Sequence, residues 1–138
     1  MGRYDDLVSL LEQNNLIDRF KKQSEEKIRS EIKEYPNAPL DYIDFLREVG
    51  YGDIGDGYYM IYSGLITPEN IFDELTAKQL EGVLFFGDDF NGYCGGFLTT
   101  NGWKLFEDDG SCDLYIPKKT FEEFIRDKIN TYLNDINE

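Results

Sequence analysis

The sequence predicts an α+β domain, a central antiparallel β-sheet flanked by N-terminal and C-terminal helices. Three observations carry that expectation. Apolar residues recur at helical spacing at both ends of the chain, with Leu7, Leu10 and Leu11 near the start and Phe121, Phe124, Ile125, Ile129, Tyr132 and Leu133 near the end. Between them lie short apolar runs separated by turn-forming residues, above all Asn91-Gly92, Asn101-Gly102 and Asp108-Asp-Gly110. With 138 residues, 41% of them apolar, the chain has the size of one domain with one core, spanning 1–138.

Taken in order, Tyr4 to Asn14 reads as a first helix. Leu16 to about Glu34 reads as a second, largely solvated one, with Phe20, Ile28 and Ile32 on a thin stripe. Pro36 stops it, and Pro39 suits the first turn of a third helix whose Tyr42, Ile43, Phe45, Leu46 and Val49 face the core. The stretch Gly50-Tyr-Gly-Asp-Ile-Gly-Asp-Gly57 is expected to break regular structure. It spells G-x-G-x-x-G, but it follows a helix in an acidic segment, which is the wrong context for a dinucleotide site.

Tyr58 to Tyr62 reads as a strand, with Gly64 in the connection to a short Leu65-Ile66 run. Thr67 and Pro68 look like a helix start reaching about Leu75, and Thr76 to Leu80 like a further turn. Val83 to Phe86 is the central strand, since four large apolar residues between glycines are too few for a helix. The chain then reverses through Asp88 to Gly92, pairs Gly96–Thr99 with Trp103–Phe106, reverses again at Asp108 and runs on through Leu114 to Ile116. Thr120 and Glu123 have the spacing of a capping box, which opens the last helix.

The net charge of −14 is unevenly placed. Residues 50–117 hold twelve acids against Lys78 and Lys104, which is −10 of the total. Such a field repels phosphate backbones, so direct nucleic-acid binding is not expected; it attracts a basic protein. No run approaches the roughly 20 apolar residues of a membrane span. The start lacks the apolar centre of a secretory signal, so the expectation is a cytoplasmic protein with Cys94 and Cys112 as reduced, partly buried thiols.

Histidine is absent, which removes the commonest general base and leaves two cysteines too few ligands for a structural zinc site. Carboxylates remain: Asp88-Asp89 and Glu107-Asp108-Asp109 have the chemistry of a glycosidase pair or a magnesium site. Neighbours on an extended chain point to opposite faces, so neither cluster converges by itself. An EF-hand set on Gly92 fails, because Gly87 and Leu98 stand where its first and last carboxylates belong. No cofactor is expected. The remaining resource is aromatic, with ten Tyr, ten Phe and one Trp. Most Phe belong in the core, whereas Tyr and Trp are enriched at protein interfaces. The candidate partner-binding residues are therefore Tyr51, Asp53, Asp56, Tyr58, Asp88, Asp89, Tyr93, Trp103, Glu107, Asp108 and Asp109.

The order of these pieces resembles the SUKH superfamily, also called Smi/Knr-like. The resemblance rests on Pro39-Leu-Asp-Tyr-Ile-Asp-Phe-Leu46 and the glycine-rich loop after it, on Leu84-Phe-Phe-Gly-Asp-Asp-Phe-Asn-Gly92, and on Thr120-Phe-Glu-Glu-Phe-Ile125. It runs from about Ile28 to Ile129; where the family often ends its first helix in Asn-Gly-Gly, this chain has Val49-Gly-Tyr-Gly52. It implies an α+β fold without catalytic residues and a bacterial immunity protein that binds and neutralises a cognate polymorphic or contact-dependent toxin, often a nuclease and hence basic. Eukaryotic relatives imply the alternative, a regulatory or scaffolding interaction module. A carboxylate enzyme would instead gather Asp53, Asp56, Asp88, Asp89, Glu107, Asp108 and Asp109 in one cleft.

Overall fold

The computed structural model describes residues 2–55, 57–70, 73–109 and 114–136. Five α-helices and six strands follow one another along them. They are α1 (Asp5–Gln13), β1 (Phe20–Lys21), α2 (Glu25–Glu34), α3 (Leu40–Glu48), β2 (Tyr51–Asp53), β3 (Met60–Ile66), α4 (Glu74–Gln79), β4 (Val83–Asp88), β5 (Cys94–Leu98), β6 (Lys104–Asp108) and α5 (Phe121–Ile136). The sheet is an antiparallel meander in the order β1-β2-β3-β4-β5-β6. The α+β class and the terminal helices are as the sequence predicts.

Alternation along the strands makes two unequal cores. Phe86, Phe97 and Leu105 face α3 and α5 and join the main core with Tyr42, Phe45, Phe121 and Phe124. Val83, Phe85, Cys94 and Phe106 point the other way into a smaller cluster with Leu80, edged by Tyr62, Leu98, Leu114 and Ile116. Phe86 is the crossing point of the main core. Its ring centroid lies 5.0 Å from Phe121, 5.2 Å from Phe97 and 5.5 Å from Phe124. Arg126 pins the N-terminal segment to α5: it bonds Asp6 at 2.9 and 3.2 Å and Glu122 at 2.9 Å, and lies over the Tyr4 ring.

Several boundaries differ from the sequence expectation. The long second helix is cut into a 3-10 turn at Ile17–Arg19, the strand β1 and a helix that starts only at Glu25. Ser24 is the reason: its side chain accepts the Lys27 N–H at 3.2 Å, an N-cap that fixes the start. Helix α2 is largely solvated, as expected, and turns Ile28 and Glu31 inward. The Gly50–Gly57 stretch is not wholly irregular, because Tyr51–Asp53 forms β2 between β1 and β3. Gly52 lets that contact form; a Cβ there would lie 2.2 Å from the Arg19 carbonyl oxygen.

The Leu65-Ile66 run is no separate piece. It continues β3 through Gly64, with the register shifting between Ile61 and Ile66. Helix α4 begins at Glu74, capped by Asp73, whose carboxylate accepts the Thr76 N–H at 2.8 Å; among the described residues between Thr67 and that cap, a 3-10 turn at Pro68–Asn70 takes the place of the expected helix start. The third reversal reaches Gly110, outside the described residues. After it, Tyr115 alone bridges Glu107, in place of the expected run from Leu114 to Ile116.

Two local features yield predictions. Glu31 reaches the β3 irregularity, where its carboxylate accepts the Leu65 N–H at 3.2 Å. Burial pushes its carboxyl above the usual range, with Glu34 adding to the rise and the Leu65 bond opposing it. A raised carboxyl favours the folded state most below the unfolded carboxyl value, and that contribution is lost as pH rises through the folded value. Glu31→Gln, which keeps an acceptor for Leu65, is therefore expected to match wild type below about pH 4 and to melt higher near neutrality. Melting curves of both proteins across that range check it. The second feature is the capping box: Thr120 Oγ1 accepts the Glu123 N–H at 3.1 Å, and Glu123 accepts the Thr120 N–H at 3.0 Å. Thr120→Ala is expected to cost about 1 kcal/mol in a urea titration.

Candidate functional site

A meander sends alternate turns to the same end of the sheet. The β2–β3 loop, the β4–β5 turn and the end of β6 therefore meet along one edge. The register sharpens this, because Asp53 faces Met60, Met60 faces Asp88, Asp88 faces Cys94 and Cys94 faces Asp108. Three aspartates thus share one row across five strands, two strands apart, which is about 10 Å between successive members. The row depends on the shift between Phe85 and Gly87 in β4, which places Gly87 opposite Gly95 and Asp88 opposite Cys94.

The carboxylates also build the turns they occupy. Asp53 accepts the N–H groups of Gly55 and Gly57 at 3.1 and 2.9 Å. Asp88 accepts the Phe90 N–H at 2.9 Å and the Tyr62 hydroxyl at 2.5 Å, and Asp89 accepts the N–H groups of Asn91 and Tyr93 at 2.8 and 3.0 Å. A carboxylate that accepts local N–H groups fixes a turn while keeping its charge. Burial, followed by the bond to Asp88, pushes the Tyr62 hydroxyl well above the ordinary phenol range. Burial also lifts the Cys94 thiol to about 11, helped by Asp88, Asp108 and Asp89. The buried thiol is thus protonated at neutral pH and poorly nucleophilic.

Beside this row stand three exposed rings. Phe90 is 53% exposed, Tyr93 52% and Tyr115 63%. Phe90 holds φ at +67° at the tip of the β4–β5 turn, a conformation unfavourable for an L residue with a bulky side chain. Neither Phe90 nor Tyr115 was among the predicted site residues. The signal for Phe90 lay in its neighbours, since a residue inside Asp89–Gly92 has no core position to occupy.

The predicted residues divide accordingly. Asp88, Asp89, Tyr93 and Asp109 lie along the acidic edge, with Asp53 and Tyr58 beside it; Tyr58 is half-buried against Tyr132, 5.0 Å between centroids. Asp108, expected on the partner-binding surface, is 1% exposed and therefore lies beneath it. Glu107 alternates to the other face, where it lines a hollow with Tyr58, Lys119 and Lys128, while its backbone pairs with Tyr115. Tyr51 packs against the main core, and Trp103 lies at the opposite end of the sheet against Phe97 and Tyr35. Asp56 and Cys112 lie outside the described residues.

Among the described residues no group of three or more acids and cysteines is arranged to hold a metal ion. No described helix is long and apolar enough to cross a membrane. Set against family models, curated proteins and solved structures, the chain matches none of them.

Proposed function

We propose that the protein is a non-enzymatic immunity protein of the SUKH type, which binds and neutralises a basic cognate toxin through the acidic edge of its sheet. The observation that carries this reading is the set of accessible carboxylates along that edge, Asp53, Asp88, Asp89 and Asp109, with Phe90, Tyr93 and Tyr115 exposed beside it. Exposed rings beside fixed negative charge supply both parts of a specific interface, apolar anchors and long-range attraction. The Asp88 and Asp89 carboxylates are already oriented by their own turn, so little ordering is needed when a cation docks.

The segregation of −10 into residues 50–117 and the ordered motifs from Pro39 to Ile125 support the same conclusion. A nuclease toxin built to attract phosphate presents the complementary surface. The test mixes the purified protein with the product of the gene beside its own and reads complex formation and toxin activity together. Stoichiometric capture with loss of activity is expected. Absence of any complex with a neighbouring product overturns the immunity reading, and capture of a basic housekeeping protein instead assigns the edge to a regulatory scaffold.

A further inference from the structure

At the other end of the sheet from the aspartate row lies a cavity of about 260 Å³ between the end of α2, the Pro68–Asn70 turn and β4. Buried Pro68 and Leu84 line it together with Tyr35 and Trp103, and Glu69 and Glu81 stand exposed in its lining. The two rings meet at 66° with centroids 6.2 Å apart, which makes an aromatic corner. Trp103 is held there with φ at +57°, in the tight turn entering β6. Among the described residues neither Glu69 nor Glu81 forms an ion pair. Both also border a second hollow of about 320 Å³, where Glu74 adds a third carboxylate against Lys78 alone.

We infer that this cavity is a receptor for an arginine side chain presented by the basic partner. Size and chemistry select the occupant together. Ligand pockets for whole small molecules run from about 300 to 1,000 Å³, so this one suits a single side chain better than a free metabolite. A guanidinium is flat and weakly hydrated, stacks on aromatic faces and gives parallel N–H bonds to a carboxylate, which matches two rings beside two glutamates. A lysine ammonium, compact and strongly hydrated, uses the rings less well. The inference rests on the reading of the protein as the partner of a basic protein, and it adds a second contact. Val83 lines the cavity and Asp88 belongs to the aspartate row; they stand five residue steps apart along β4, about 17 Å, within the reach of one ordinary interface.

The experiment titrates the isotope-labelled protein with N-acetyl-arginine methylamide and follows the Trp103 indole N–H and the amides of Gly82 and Thr99. The expected result is saturable shifts at those three groups, at most weak ones with the uncharged citrulline analogue, and affinity lowered about tenfold or more in Glu69→Gln/Glu81→Gln, whose substitutions lie on the surface. In the toxin complex the same double variant is expected to raise Kd about tenfold. Shifts that do not saturate, an equal response to citrulline, or unchanged toxin affinity in the double variant overturns the inference. None of those results touches the acidic edge, whose own failure is read as loss of capture altogether, so the two can fail separately.

Discussion

Phe86→Ala is expected to lower the free energy of unfolding by about 3–5 kcal/mol, a large share of the roughly 5–15 kcal/mol that holds a domain of this size together. The ring is fully buried and touches α3 through Tyr42, β5 through Phe97 and α5 through Phe121 and Phe124. Removing it leaves a hole bounded by rings from three elements, which cannot all move inward at once. Phe85 is equally buried, yet it faces the smaller cluster on the other side of the sheet. Phe85→Ala therefore loses similar apolar area but leaves the contacts between helix and sheet in place. Urea titrations of the two variants separate these cases: Phe86→Ala is expected to lose more stability and to give the broader loss of near-ultraviolet aromatic signal.

Phe90→Gly is expected to act on stability and on binding with opposite signs. Glycine removes the penalty of positive φ, about 1–2 kcal/mol for an L residue in the left-handed region. Part of that gain is offset by the greater freedom of glycine in the unfolded chain, so the melting temperature should stay level or rise. The same substitution deletes the exposed ring at the tip of the acidic edge. If that ring is an anchor of the interface, its loss costs about 2 kcal/mol or more of binding, roughly 30-fold in Kd. Weaker capture by a protein that is as stable as before cannot be ascribed to misfolding. A variant that binds as tightly as wild type would remove Phe90 from the interface.

Much of the architecture could be read from residue patterns because long periodic segments dominate it. The capping box at Thr120 and Glu123, the apolar face of α3 and the turn residues at Asn91-Gly92 each determine structure locally, and each forms where the sequence places it. The misplaced pieces are those in which tertiary contact outweighs local pattern. Strands β1 and β2 have two and three residues, too few for alternation to show, and they exist because Gly52 allows β2 to approach Arg19 and Phe20. Gly64 reads as a break but lies within β3, where the missing Cβ leaves room for the Glu31 carboxylate.

For the site, charge segregation was legible in composition, but the aspartate row was not. Asp53, Asp88 and Asp108 are far apart in sequence and align only through the register of four strand pairs, one of them shifted beside Phe86. The burial of Asp108 comes from the same alignment, which sets it directly across from buried Cys94 on the inner side of β6. Trp103 reads as an interface aromatic among acids, yet β6 carries it away from them to the far end of the sheet.

The most direct measurement is the rate constant for association with the proposed toxin partner as a function of ionic strength, for wild type and for Asp88→Asn/Asp89→Asn. Asparagine keeps an acceptor for the N–H groups of Phe90, Asn91 and Tyr93, so the turn stays formed while two charges go. Wild type is expected to associate faster than the roughly 10⁵–10⁶ M⁻¹s⁻¹ of unsteered pairs, and to slow about tenfold or more as salt is raised through the physiological range. The double variant should start slower and lose much of that salt dependence. Association that is indifferent to salt in wild type, or a slope unchanged by the two substitutions, contradicts electrostatic docking at this edge.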